Sequence, residues 1–230
     1  MSWFLWLVTL NPLVLLPALP GLALSIGARV HVLRAYRRAR EATGSRGKLI
    51  AEEILRLQHV SEVNIIQEDG PLGDFFDGGT QTLRLSQRVY DGPCLAAIAI
   101  AACEAGYAAE SDVKQWIRAR LHSLIRLGSF SAWMIVATGL LFQWTEVLVA
   151  GFLAISAFVF MALVIVPTER SVARRIGELI EKMPLFSREQ AAQIIEVMNA
   201  NAWSLVAIPL TTRRCRPPKS TSSSAEATAS

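Results

Sequence analysis

Histidine is scarce in this chain: 230 residues hold three, His31, His59 and His122. No two of them stand at helical spacing, so no pair can reach one metal ion from a single helix face, and each reads as a surface or interfacial side chain. Cysteine is equally sparse, and the odd set Cys94, Cys103 and Cys215 gives no disulfide framework. Cys94 and Cys103 lie nine residues apart, which at about 100° per residue puts them on opposite faces of one helix. A reducing, cytosolic-side location fits such usage. Charge is also low, at 18% of residues against 52% hydrophobic ones, with a mean hydropathy of +0.36. That balance argues against an ordinary soluble domain. The net charge of +4 does not point to nucleic acid, because the basic residues gather beside apolar runs and no recognition module accompanies them. There is no internal repeat.

What the chain does have is long apolar runs. Residues 3–27 carry no charge and are long enough to cross a hydrocarbon core about 30 Å thick, bent by Pro12, Pro17 and Pro20. A cleaved signal peptide would want a basic region ahead of the run, and only two uncharged residues precede it. A second run spans Leu127 to Trp144 and a third Val147 to Val166, parted by the short polar stretch at Gln143 to Glu146, as expected of a tight transmembrane hairpin. Arg29, Arg34, Arg37, Arg38 and Arg40 follow the first run. Arg118, Arg120 and Arg126 precede the hairpin, and Arg170, Arg174 and Arg175 follow it. The excess of arginine on one side predicts an N-terminus outside, with residues 28–126 and those beyond about 167 in the cytoplasm.

Between the first run and the hairpin lies a small soluble lobe. Lys48 to Gln58 predicts an amphipathic helix with Ile50, Ile54 and Leu57 on one face. The stretches 62–67 and 81–86 have strand character and predict a two-stranded hairpin across a turn-rich loop. Asp91 and Pro93 then open an Ala-rich helix that runs to about Glu110. Ser111 is placed to cap a further helix, with Val113, Trp116, Ile117, Leu121 and Leu124 on one face, suited to a membrane surface. Past the hairpin, residues 167–210 predict cytoplasmic helices, one of them starting at Ser187, while the polar residues 211–230 predict a disordered tail.

The Ala-rich helix carries the stretch Cys103-Glu104-Ala105-Gly106-Tyr107. It keeps the frame of the zinc-peptidase motif H-E-x-x-H, in which two imidazoles one turn apart hold the metal and the glutamate acts as general base. Here Cys103 and Tyr107 stand at the two ligand positions. A tyrosine becomes an anionic ligand only on losing a proton near pH 10. The run from Thr82 to Ala108, with its "LRLS", its "VYDG" and this helix, resembles the YugP-type family of membrane-bound neutral zinc metallopeptidases. The "PGLAL" of the first span and the "PTERSVARR" after the third match the same family, so the resemblance runs in order over roughly residues 10 to 205. It implies that Glu104 stands at the general base and Glu169 at a third ligand, with Cys103 and Tyr107 at the other two. Phe75 departs from the family, whose members tend to carry histidine there, and the chain stops short of a further apolar segment that many relatives have.

The expectation is a mainly α integral membrane protein of three transmembrane helices, with a small zincin-like cytoplasmic lobe containing a β-hairpin. Its expected segments are 1–27, 28–126, 127–166, 167–210 and 211–230. Zinc serves the active relatives; with two ligand positions changed, no cofactor is expected here, and Glu104 is read as a vestigial base. The expected role is binding or regulation by an inactive pseudopeptidase. Its expected partners are membrane lipid and either an extended peptide, captured along Gln81 to Ser86, or another membrane protein. Two other readings stay open: an active metallopeptidase using Cys103, Glu169 and a further ligand, and a purely structural membrane subunit.

Overall fold

The structure, a computed structural model, describes residues 19–68 and 74–208. In chain order it holds α1 (Leu19–Arg38), α2 (Gly47–Leu57), β1 (Asn64–Gln67), β2 (Phe75–Asp77), β3 (Thr82–Leu85), α3 (Gln87–Tyr90), α4 (Leu95–Tyr107), α5 (Asp112–Phe142), α6 (Thr145–Lys182) and α7 (Arg188–Asn201). The chain divides into two compact units. Among the described residues one takes 19–30, 119–166 and 203–208, and the other 31–68, 74–118 and 167–202.

The first unit is built from apolar helix. α5 and α6 are each long and apolar enough to cross a membrane, and less than half of each apolar window is buried. Leu127, Phe130, Met134, Leu141, Leu153, Phe160 and Val164 all face outward, the reverse of a water-soluble helix. Small residues let the two helices meet closely. A Cβ on Gly139 would stand 2.6 Å from the Leu148 backbone nitrogen, and one on Gly151 2.6 Å from Val136 Cγ2. Gln143, with a φ of 57°, makes the turn between them. A buried cluster of Ala28, Ile125, Val159, Ala162, Ile165, Val166 and residues 205–208 completes this unit. The Ser25 hydroxyl donates to the Val206 carbonyl at 2.6 Å, so a polar side chain among apolar ones is satisfied. Most of the predicted first span, residues 3–18 of it, and all of the predicted tail 211–230 lie outside the described residues.

The second unit joins most of the stretch 28–126 expected as a lobe to 167–202, which the sequence sets apart as separate helices, and it departs from expectation at three elements. The expected two-stranded hairpin is a three-stranded sheet of order β1-β3-β2. β1 runs parallel to β3, with Asn64 opposite Thr82 and Gln67 opposite Leu85, while β2 pairs antiparallel with β3, Phe76 opposite Leu83. The hairpin is therefore β2–β3, turned through Gly78 to Gln81. Strand character does not reveal a strand's partner, which is why the sequence suggested pairing β1 with β3 head to tail. The Ala-rich helix begins at Leu95 with Cys94 as its N-cap, three residues later than Asp91 suggested, because the Asp91 backbone ends α3 instead. The helix after Ser111 and the second apolar run are one element, α5, since no Gly or Pro signal separates them strongly enough to break the ladder.

In α2 the buried face is Gly47, Ile50, Ala51, Ile54 and Leu55, and the predicted Leu57 is exposed. α4 lies at the centre of the unit, all thirteen of its residues buried. Its alanines carry so little side chain that α2, α7 and the sheet can all approach it. α7 starts where expected: Ser187 accepts from the Gln190 backbone at 3.2 Å, and the Gln190 side chain accepts from the Ser187 backbone in return.

Candidate functional site

Three elements of the second unit supply the site. Cys103, Glu104 and Tyr107 lie in the last two turns of α4. Glu169 lies on α6 two residues after Pro167, and Arg118 lies near the start of α5. α6 reaches α4 because of Gly106. A methyl there would stand 2.6 Å from Ile176 Cγ1 and 3.1 Å from Val172 Cγ1, so the helices touch through a residue with no side chain. Val172 and Ile176 follow Glu169 by one and two turns on the same face, and their contact with Gly106 sets Glu169 beside Tyr107. Arg175 fixes the approach by donating to the Gly106 carbonyl at 2.8 Å.

The residues predicted for the site do come together. The Tyr107 hydroxyl donates a short hydrogen bond to Glu169 Oε2. Glu104 is 1% exposed, Tyr107 3% and Glu169 7%, so two carboxylates share a nearly dry space. Such a pair is costly without a counter-charge. Arg118 supplies it: Nη2 lies 3.3 Å from Glu104 Oε2 and Nε donates to Glu169 Oε1 at 3.0 Å. The guanidinium carbon also sits 3.1 Å from the centre of the Tyr107 ring, a cation against an aromatic face. Cys103 is buried, and burial first, then the Glu104 and Glu169 charges, push its thiol well above the ordinary value; Arg118 pulls the other way. The Tyr107 phenol is likewise pushed well above its ordinary value, by burial and then by Glu169.

Arg118 is the residue that the sequence reading missed. In the sequence it reads as one of several arginines that orient the chain in a bilayer, an explanation that any arginine beside an apolar run invites. The signal that sets it apart is its phase: Gln115 and Arg118, one turn apart, face inward, whereas Val113, Trp116 and Ile117 between and around them are exposed. The Gln115 amide donates to the Glu110 carbonyl at 2.8 Å and to the Tyr107 carbonyl at 3.3 Å, which ties the end of α4 to the start of α5. Phase thus puts the polar side of α5 against the site. None of the three histidines is part of the cluster. Phase also explains Phe75, which lies on β2 opposite Arg84 with that guanidinium 5.9 Å from its ring, and belongs to the sheet.

The chemistry of this donor set does not fit a zinc ion. Zinc wants a thiolate, neutral imidazoles or carboxylates whose lone pairs are free. Here a phenol stands at one ligand position and is bonded to the carboxylate that would join it, and a fixed cation already lies among them. Among the described residues no group of three or more His, Cys, Asp or Glu side chains is placed to hold a metal. What the arrangement can do is hold charge: two buried carboxylates, one guanidinium and one phenol bonded into a single network.

The chain was compared with known proteins. It is 26% identical over 196 residues to "Putative membrane protease YugP" of Bacillus subtilis (strain 168), an alignment covering 83% of this chain and 87% of that protein. No solved structure matches it. A family model described as "Putative neutral zinc metallopeptidase" matches residues 13–212, which take in every helix and strand described above. By that match the chain belongs to the neutral zinc metallopeptidase family, with Cys103, Tyr107, Glu169 and Arg118 all inside the matched region.

Proposed function

We propose that this chain is a membrane-anchored pseudopeptidase, a family member that binds or regulates and does not cut. The observation that carries the reading is the hydrogen bond from Tyr107 to Glu169. It joins two of the three candidate ligand positions to each other and uses up the proton donor of one and a lone pair of the other. Peptide hydrolysis by a zinc enzyme needs the ion to acidify a water and polarise the carbonyl, and Glu104 without it has no activated water to deprotonate. Glu104 is instead bonded to Arg118.

The membrane part of the reading rests on the two long apolar helices with outward-facing leucine, phenylalanine and valine. Membrane lipid is their partner. For an extended peptide, the expected strand Gln81 to Ser86 is unsuited, because β3 is paired on both sides. The outer edge of β1 takes its place. It borders a cleft of about 620 Å³ lined by Lys48, Glu52, Arg56, His59 and Asn64, and among the described residues no second strand pairs with β1 on that side.

Zinc analysis of the full-length protein in detergent tests the proposal. The expected result is far less than one zinc per chain and no proteolysis that disappears in Glu104→Gln. Stoichiometric zinc lost on Cys103→Ser would establish the opposite reading, an active enzyme with unusual ligands.

A further inference from the structure

We infer that Arg118 is the resident cation of this lobe: its guanidinium bridges the two buried carboxylates in place of a divalent ion and keeps such an ion out. The inference rests on the pseudopeptidase reading and adds to it the device that holds the site closed. Three contacts converge on one side chain. Nε is 3.0 Å from Glu169 Oε1, Nη2 is 3.3 Å from Glu104 Oε2, and the guanidinium carbon is 3.1 Å from the Tyr107 ring centre. The Arg118 side chain is only 11% exposed, so the charge is not a surface one that solvent would screen.

Those contacts come from both helices that carry the candidate ligand positions, Glu104 and Tyr107 from α4 and Glu169 from α6. A cation that touches all three stands among them, and a second cation in the same space would meet a fixed positive charge within a few ångströms. The planar fork of arginine also suits two carboxylates approaching from different directions better than an ammonium would. Substitution of the two ligand positions on α4 is therefore only part of the change in this site. Even with imidazoles restored at 103 and 107, Arg118 would still hold Glu169 and Glu104.

The test uses full-length protein in detergent and zinc alone as the probe. Zinc per chain is measured for wild type, for Cys103→His with Tyr107→His, and for the same pair with Arg118→Met. Expected is little zinc in the first two and a rise of at least tenfold in zinc affinity on adding Arg118→Met. Equal affinity in the second and third would overturn the inference, as would no zinc in the third. Stoichiometric zinc in wild type would instead overturn the pseudopeptidase reading beneath it. A second arm reads the same charge network without metal. Arg118→Met alone should lower the melting temperature by about 10 °C, since it removes the counter-charge from two buried carboxylates. Adding Glu104→Gln and Glu169→Gln should recover most of that loss. A triple variant no more stable than Arg118→Met would mean that Arg118 acts through packing alone, which also overturns the inference.

Discussion

Gly106 decides how close α4 and α6 can come, and Cys103 lies buried one turn earlier on the same helix. Cys103 is 2% exposed, and the same burial pushes its thiol above the ordinary value, which leaves it unreactive. In the native detergent-solubilised protein, Cys103 should therefore resist iodoacetamide and react fully once the protein is unfolded, as peptide mass spectrometry would show. Gly106→Val should make it reactive under native conditions, because the added methyls need space that Ile176 and Val172 occupy. Rapid labelling of Cys103 in the unaltered native protein would contradict the packing described. At this scale the sequence revealed much of the site. Cys103, Glu104 and Tyr107 announce themselves by their spacing on one helix, and Glu169 only through the family resemblance of the stretch around it. Arg118 did not, because its role depends on a side-chain bridge to a residue 51 positions away, which local periodicity does not encode.

Among the elements, the start of α7 is legible to the residue, while its end at Asn201 and the sheet are not. The reciprocal bonds of Ser187 and Gln190 are a local device, written within four consecutive residues, so the helix start can be read from the chain. Ser187→Ala should remove the cap that the Gln190 backbone uses and cost about 1 kcal/mol. A fall in melting temperature of about 3 °C would express that cost, and Ser187→Asp should preserve the wild-type value. No change in Ser187→Ala would show that the box contributes nothing beyond the packing of Ile194 and Val197. Strand pairing, by contrast, joins segments through partners that only the folded chain brings together. The strand β2, three residues long, was hidden in a loop that looked like turn from its Gly and Asp content.

For the molecule as a whole, the apolar runs and the arginine clusters were the strongest signals, and α5 and α6 carry them. The outward apolar side chains of these helices need a lipid-like surrounding, and the arginines at their ends set the orientation we propose, with the lobe in the cytoplasm. Single cysteines introduced at Thr145 and Gly44, in a background without the native three, test this. A membrane-impermeant maleimide should label Thr145→Cys in intact cells and reach Gly44→Cys only after lysis. The reverse pattern would invert the topology. The family match was legible from motif order along the chain, but what the family member does was not, because one buried arginine changes the chemistry of an otherwise familiar frame.

The parallel pairing of β1 with β3 has a consequence for how the lobe assembles. β2 and β3 are joined by a turn of four residues, Gly78 to Gln81, so their hairpin closes locally and fast, on the microsecond scale. β1 meets β3 at a separation of 18 residues, Asn64 against Thr82, and cannot be zipped from a turn. It has to arrive as a finished edge on a hairpin already formed, after the intervening chain has given up more of its freedom. During synthesis β1 leaves the ribosome before the strand it needs, and it waits, unpaired, for the hairpin that follows it.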